Sequence, residues 1–410
     1  MSAPSGQLIL RRSLRRSLAV VLPDPTETQL LRCLLHSGDD GRRAWQAWCG
    51  LVGDPKSAFK GERLGQKSLL PLLHAAVERN ALPLDAGVAS WLRATYFREQ
   101  MRGNAYRRVL DTTLSGLGVV GTLPLVLKGC ALSDTVYPDR ATRHSHGIEL
   151  LVRDDDFGTV AARLPGLGFS AVRRHHATQR SSTTLSWQHA SGLPLEMRAR
   201  LFDIPHYAAS HEAVWQRARP LPGHAALQAA SEDALLHVCG NASMSGSRVS
   251  LRWACDAYFL LQAHVEFDWP LFLRSVEDAR LGLPLSGILR YLREALHAPI
   301  PASVITRLDA LADATDDTGH EVATMGALVA SHARMRRIIA NDPDWRSAGL
   351  LARRLLVPSA ACVREMGWVG RDQSLLAFYL RRPSQYLGAR VARLLSRRPR
   401  IAWSRVPGWQ

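Results

Sequence analysis

Apolar residues recur at three- and four-residue spacing through the first quarter of the chain, and the rhythm changes near residue 119. "PTETQLLRCLLHSG", "SLLPLLHAAVERNALP" and "VASWLRATYFREQMRGNAYRRVLDTTLSGLG" each carry such a stripe, so residues 26–118 are expected to be helical, with Thr26 or Thr28 as the first cap. Shorter runs follow. "LPLVLKG" reads as a strand ending in Gly129, "CALSDTVYPD" as a short helix stopping near Pro138, and "GIELLVR" as a second strand. "DDDFGTVAARLPGLG" reads as a helix started by Asp154–Asp156 and closed around Gly166–Gly168. "TTLSWQHA" and "PLEMRARLF" look like a hairpin around Ser191 and Gly192. Helical spacing returns with "SEDALLHVCGNAS" and continues through "SLRWACDAYFLLQAH" and "WPLFLRSVEDARLGLPLSGILRYLREAL". Five segments result: a basic arm over 1–25, a helical region over 26–118, an α/β core over 119–220, a second helical region over 221–340 and a basic amphipathic tail over 341–410.

Composition adds one asymmetry to this picture. Apolar content of 46% and charged content of 21% are ordinary for a folded chain. The formal net charge is +16, and only Lys56, Lys60, Lys67 and Lys128 are lysines, so the excess is arginine. Such a surface attracts anions. Nucleic acid ranks last among them, because aromatic residues do not interleave with the basic ones in a recognisable motif. The tail, "LLAFYLRRPSQYLGARVARLLSRRPRIAW", pairs arginine clusters with apolar stripes; a solvated helix face is the plain reading, and peripheral contact with an anionic membrane the functional one. No apolar run reaches the length of a membrane span, and the opening "LAVVL" is too short for a secretory core, so a cytoplasmic protein is expected. The six cysteines show no C-x-x-C pair, which argues against a zinc knuckle and suits small core residues in a reducing compartment.

Candidate chemistry gathers in the α/β core. Glu149 stands at the head of the apolar strand "IELLV", and a buried acid is costly unless a metal or a partner uses it. Glu196 lies on a later strand that can neighbour the first. Converging carboxylates suit magnesium, a hard ion that takes oxygen ligands and keeps waters and phosphates in its other positions. A Lys-Gly turn before a helix suits phosphate: Gly129 lets the backbone approach and Lys128 adds charge. Asp154–Asp156 and His175-His176 carry weaker signals, and Asp256 reads as a structural partner for a basic side chain.

The stretch "LKGCALSDTVYPDRATRHSHGIELLV" resembles an uncharacterised bacterial nucleotidyltransferase family of the polymerase-β-like superfamily, whose pattern has the form "LKGxAL…LYPDxxxR…DIDLLV". Lys128, Gly129, Ala131, Leu132, Tyr137, Pro138, Asp139 and Arg143 match it. "GLPLEMRARLF" and "SEDALLHVCGNASMSGSRVSLRWACDAYFLL" resemble later segments, and the likeness runs over roughly residues 26–300. It implies an α+β fold: a polymerase-β-like core with a small mixed sheet, flanked by helical N- and C-terminal regions. It also implies transfer of a nucleotidyl group from a nucleoside triphosphate to a small-molecule, saccharide or peptide acceptor. In that reading Lys128, Gly129 and Arg143 face phosphates, and Glu149 and Glu196 hold magnesium and act in catalysis. One departure stands out: where the pattern has its first acid this chain has Gly147, and its second is the longer Glu149. Much reduced activity is one consequence. A catalytically inactive nucleotide-binding protein working with a pathway enzyme is the alternative.

Overall fold

In a computed structural model the chain is described over residues 22–60, 67–172, 184–244, 251–329 apart from 265, residue 349, and 353–382 apart from 355 and 371. The basic arm up to residue 21, His175-His176 and the tail from 383 onward lie outside the described residues.

Among the described residues five helices precede the sheet: α1 (Pro25–Leu35), α2 (Gly38–Val52), α3 (Pro55–Lys60), α4 (Leu70–Asn80) and α5 (Ala86–Gly118). The cap of α1 is Asp24 rather than either threonine. Its carboxylate accepts from the Glu27 backbone N–H at 2.8 Å, and Glu27 accepts from the Asp24 N–H at 3.0 Å. Pro25 supplies the fixed φ that a first helical position needs, so the reciprocal cap forms one residue earlier than the apolar stripe suggests.

The central region alternates strands and short helices: β1 (Leu125–Leu127), α6 (Gly129–Thr135), β2 (Ile148–Leu151), α7 (Asp154–Arg163), β3 (Phe169–Ala171), β4 (Thr184–His189), β5 (Pro194–Arg198), α8 (His211–Arg217), β6 (Arg219–Pro220) and β7 (Leu227–Gln228). The strands form one mixed sheet in the order β3-β4-β5-β2-β1-β7-β6. The β4–β5 hairpin turns at Gly192, whose φ of +83° is one that glycine adopts without strain. Asp154, Asp155 and Asp156 sit in the first turn of α7, where carboxylates favour the positive helix end, but Arg153 holds the cap position and Asp154 pairs with Arg200 at 2.5 Å.

Beyond the sheet run α9 (Ser231–Met244), α10 (Arg252–Ala263), α11 (Trp269–Asp278), α12 (Gly282–Leu296), α13 (Ala302–Ala314), α14 (Asp317–Val329) and the short α15 (Ala360–Glu365). The two faces of the sheet bury different side chains, as the two-residue strand period dictates. Val126, Ile148, Leu150, Leu195 and Met197 pack with Tyr106, Leu110 and Leu114 of α5 and Val160 of α7. Leu125, Leu127 and Leu151 join a larger core built from α1–α4 and from α9 onward. Glu149, Glu196 and Arg198 share strand parity with Leu151, which turns them toward the second helical region. Among the described residues no helix is long and apolar enough to cross a membrane.

Candidate functional site

Three strands and one turn bring the predicted acids and the lysine together. β2 and β5 run parallel with Glu149 directly opposite Glu196, and β1 runs antiparallel to β2 with Leu127 opposite Glu149. Lys128 follows Leu127 at once, so its side chain starts beside the acid. Its Nζ lies 3.4 Å from Oε2 of Glu149. The ammonium attracts that oxygen without the alignment of a hydrogen bond, and Oε2 is buried with no hydrogen-bond partner. Lys128 has φ +44° and ψ −109°, a conformation that disfavours any side chain and costs on the order of 1–3 kcal/mol. The fold thus holds a lysine where glycine would be easier.

Arg198, two residues beyond Glu196 on the same strand face, is the second cation. Its Nε is 4.0 Å from Glu196 and its Nη2 is 3.0 Å from Asp203. Burial raises the pKa of the Glu149 carboxyl most, but Lys128, Arg198 and Arg143 together outweigh it and hold the group below the ordinary glutamate range. Glu149 is therefore ionised at neutral pH. His237 of α9 lies over this cluster, 2% exposed, with its Nε2 buried and unpartnered. Burial, then the nearby charges of Lys128 and Arg198, push its pKa well below the usual histidine value, so the imidazole is neutral. Glu149 Oε2, Arg198 Nε and His237 Nε2 are three buried polar atoms without hydrogen bonds in one neighbourhood. Such atoms are uncommon in folded proteins.

Arg143 is in a different position. Its Nε and Nη2 donate to the two carboxylate oxygens of Asp256 at 2.9 and 2.8 Å, and Tyr137 donates its hydroxyl to the same carboxylate at 2.7 Å. Burial pulls the guanidinium pKa down, and Asp256 more than restores it, so Arg143 stays charged. Its remaining nitrogen, Nη1, points to Ser145 at 3.4 Å. A Cβ placed on Gly129 would stand 3.3 Å from both Arg143 Nη1 and Ser145 Oγ, so Arg143 packs behind the Lys-Gly turn. Asp256 is the structural partner of a basic group that its type suggested. Gly147 is also closely packed: a Cβ there would lie 3.0 Å from the Pro194 carbonyl oxygen.

The donor set bears on magnesium. Two carboxylates side by side would suit one ion carried in on a nucleotide, with phosphates and waters completing its shell. Among the described residues no cluster of three or more acids, histidines or cysteines could hold a metal, and each of the two acids has a cation beside it, Lys128 at Glu149 and Arg198 at Glu196.

Arg198 and His237 are the site residues that the sequence reading did not pick. Arg198 was within reach, since a period of two puts it on the face of Glu196. Nothing local marks His237, which is brought to the sheet by helix packing.

A small mixed sheet among helices, with paired carboxylates beside a Lys-Gly turn, is consistent with a nucleotidyltransferase-like α+β fold. Residues 63–297, more than half of the chain, match the model of a family described as uncharacterised nucleotidyltransferases, and the chain belongs to that family. The description implies a nucleoside triphosphate as substrate. A comparison with curated proteins finds no match. The matched span contains every residue of the cluster described above, while the arm and the tail lie outside it.

Proposed function

We propose that the cluster of Lys128, Glu149 and Glu196 between β1, β2, β5 and α9 binds a nucleoside triphosphate and transfers its nucleotidyl group to a hydroxyl of a small-molecule, saccharide or peptide acceptor in the cytoplasm, the α–β phosphoanhydride bond breaking and pyrophosphate leaving. The observation that carries this reading is the register that sets Glu149 beside Glu196 with Lys128 on the first of them. Lys128 turns to the triphosphate, and the Gly129 backbone accepts its close approach. Glu149 and Glu196 would hold one magnesium ion, which would supply charge neutralisation and polarisation at the reacting phosphoryl group. Arg143 supports the turn from behind through its pair with Asp256. Glu196 faces the acceptor hydroxyl. His237, unprotonated, adds a second acceptor for that proton.

A second reading has a specific observation in its favour. Gly147 supplies no carboxylate, and Pro194 leaves little room for one. With a single ion, the loss of one metal-holding acid removes transition-state stabilisation on the order of 3–4 kcal/mol, by analogy with other single electrostatic contributions. The chain would then bind nucleotide and present it to, or sense it for, an enzyme of the same pathway, and the basic tail would offer that complex an anionic membrane surface.

Isothermal titration with ATP, CTP, GTP and UTP, each with and without magnesium, tests the proposal. Binding that strengthens with magnesium and is lost in Glu149→Gln supports the transferase site. Magnesium-indifferent binding supports the second reading. No binding of any of the four sinks both.

A further inference from the structure

A cleft of roughly 100 Å³ opens on the α5 side of the sheet, between α5 and α6. Tyr106, Leu110 and Cys130 line its apolar part, and all three belong to the core layer that backs the sheet away from Glu149. Its polar part is built from three different segments: Arg107 on α5, Asp134 on α6, and Arg140, Arg143 and Ser145 on the connection to β2.

Its charged groups are unevenly shared. Arg107 Nη2 lies 3.1 Å and Arg140 Nε 3.8 Å from the same Asp134 oxygen, so two guanidiniums share one carboxylate. The other Asp134 oxygen is met by His224 Nε2 at 3.2 Å, and His224 Nδ1 meets Asp111 at 2.6 Å. Arg143, which lines the cleft, is neutralised by Asp256 through Nε and Nη2, and its Nη1 makes the long 3.4 Å contact to Ser145, another lining residue. An arginine fork is built to fill its donors with short, charge-assisted bonds. Three guanidiniums approach from three directions. That arrangement suits a tetrahedral anion, whose oxygens point several ways, better than a planar carboxylate.

We propose that this cleft is a phosphate-binding site, separate from the Glu149 cluster, that takes the phosphate group of a phosphorylated small molecule on Arg107, Arg140 and the Nη1 edge of Arg143. Arg140 is about half exposed and swings from Asp134 onto the ligand. The proposal stands apart from the nucleotide reading, because its residues lie on the other side of the turn.

The test is calorimetric titration of inorganic phosphate and of ribose 5-phosphate into the full chain and into two variants, Arg140→Glu and Lys128→Ala. Arg140→Glu is chosen because the side chain is exposed, and an unchanged melting temperature shows that it folds. The expected result is binding of the monoester in the native chain and in Lys128→Ala, weakened about tenfold or more in Arg140→Glu, the loss that follows from one charge-assisted contact. Monoester binding tighter than inorganic phosphate supports the small-molecule source; the reverse order overturns that source. Binding lost in Lys128→Ala and kept in Arg140→Glu puts the phosphate at the Glu149 cluster and overturns the site, as does the absence of binding by either probe.

Discussion

Asp256→Asn isolates the energetic weight of the buried network behind the Lys-Gly turn. The substitution keeps shape and removes one charge. Arg143 and Asp256 are each about 5% exposed at the side chain, and both are fixed in a two-pronged pair. Asparagine leaves the guanidinium buried opposite an amide that can accept at only one of its two terminal atoms. Tyr137 then competes with Arg143 for that one oxygen. Breaking a buried pair from one side costs about 3–5 kcal/mol, against about 0–1 for an exposed pair. Tyr137→Phe removes one hydrogen bond to a charged acceptor and should cost about 2 kcal/mol. Replacing both charges, with Arg143→Met and Asp256→Leu together, should cost less than Asp256→Asn alone, because neither member of the pair is left buried without its counterion. Urea denaturation followed by circular dichroism gives each value, with the slope checked for constancy. A loss below about 1 kcal/mol in Asp256→Asn, or a double variant as damaged as the sum of its singles, would refute the argument that an uncompensated charge is what costs.

Three further outcomes are expected. Gly147→Asp, which restores the acid of the resembled pattern, should lower stability by about 1–3 kcal/mol because its Cβ meets the Pro194 carbonyl at 3.0 Å, and thermal melting reads this directly; an unchanged melt means the strand end yields freely. Glu149 has a lowered folded pKa, so the stability it contributes is fully present above the ordinary glutamate range and is lost as pH falls through the lowered value. Denaturation midpoints between pH 7 and 3 should fall less steeply in Glu149→Gln than in the native chain. His237 has a strongly lowered folded pKa, so acidification below the ordinary histidine value protonates the unfolded chain first and removes stability. His237→Leu should flatten that slope and leave stability at pH 7 equal or higher while weakening nucleotide binding, and a clear loss of stability at pH 7 would show that the imidazole is structural.

Much of the scaffold was legible because its signals are local. The apolar runs of β1 and β2, the Lys-Gly turn between β1 and α6, and the hairpin at Gly192 are each decided by a few adjacent residues. The placement of Glu149 beside Glu196 followed from strands that the pattern could already find. Other features depended on partners far along the chain. Asp256 could be read as the partner of a basic group, but its choice of Arg143, 113 residues away, is made by the packing of α10. β6 and β7 are two residues each, too short for any alternation to show. The Asp24 cap was hidden because attention to the apolar stripe starts the helix inside it. His237 is one polar position in an otherwise apolar helix, and only the sheet beneath it gives it charged neighbours.

The parallel pairing of β2 with β5 has a consequence for the newly made chain on the ribosome. Parallel neighbours require a crossover, and here Glu149 must wait for Glu196 to be synthesised before the two can meet. Arg143 waits longer still, for Asp256. Until then the guanidinium of Arg143 lacks its counterion, while Glu149 already has Lys128 beside it, and the nascent core is held together by α5 and the sheet face that it covers. Nucleotide therefore cannot chaperone the early stages of folding, and a ribosome stalled with less than about 256 residues outside its tunnel should carry a chain that proteases cut within 119–200 but spare once α10 has emerged.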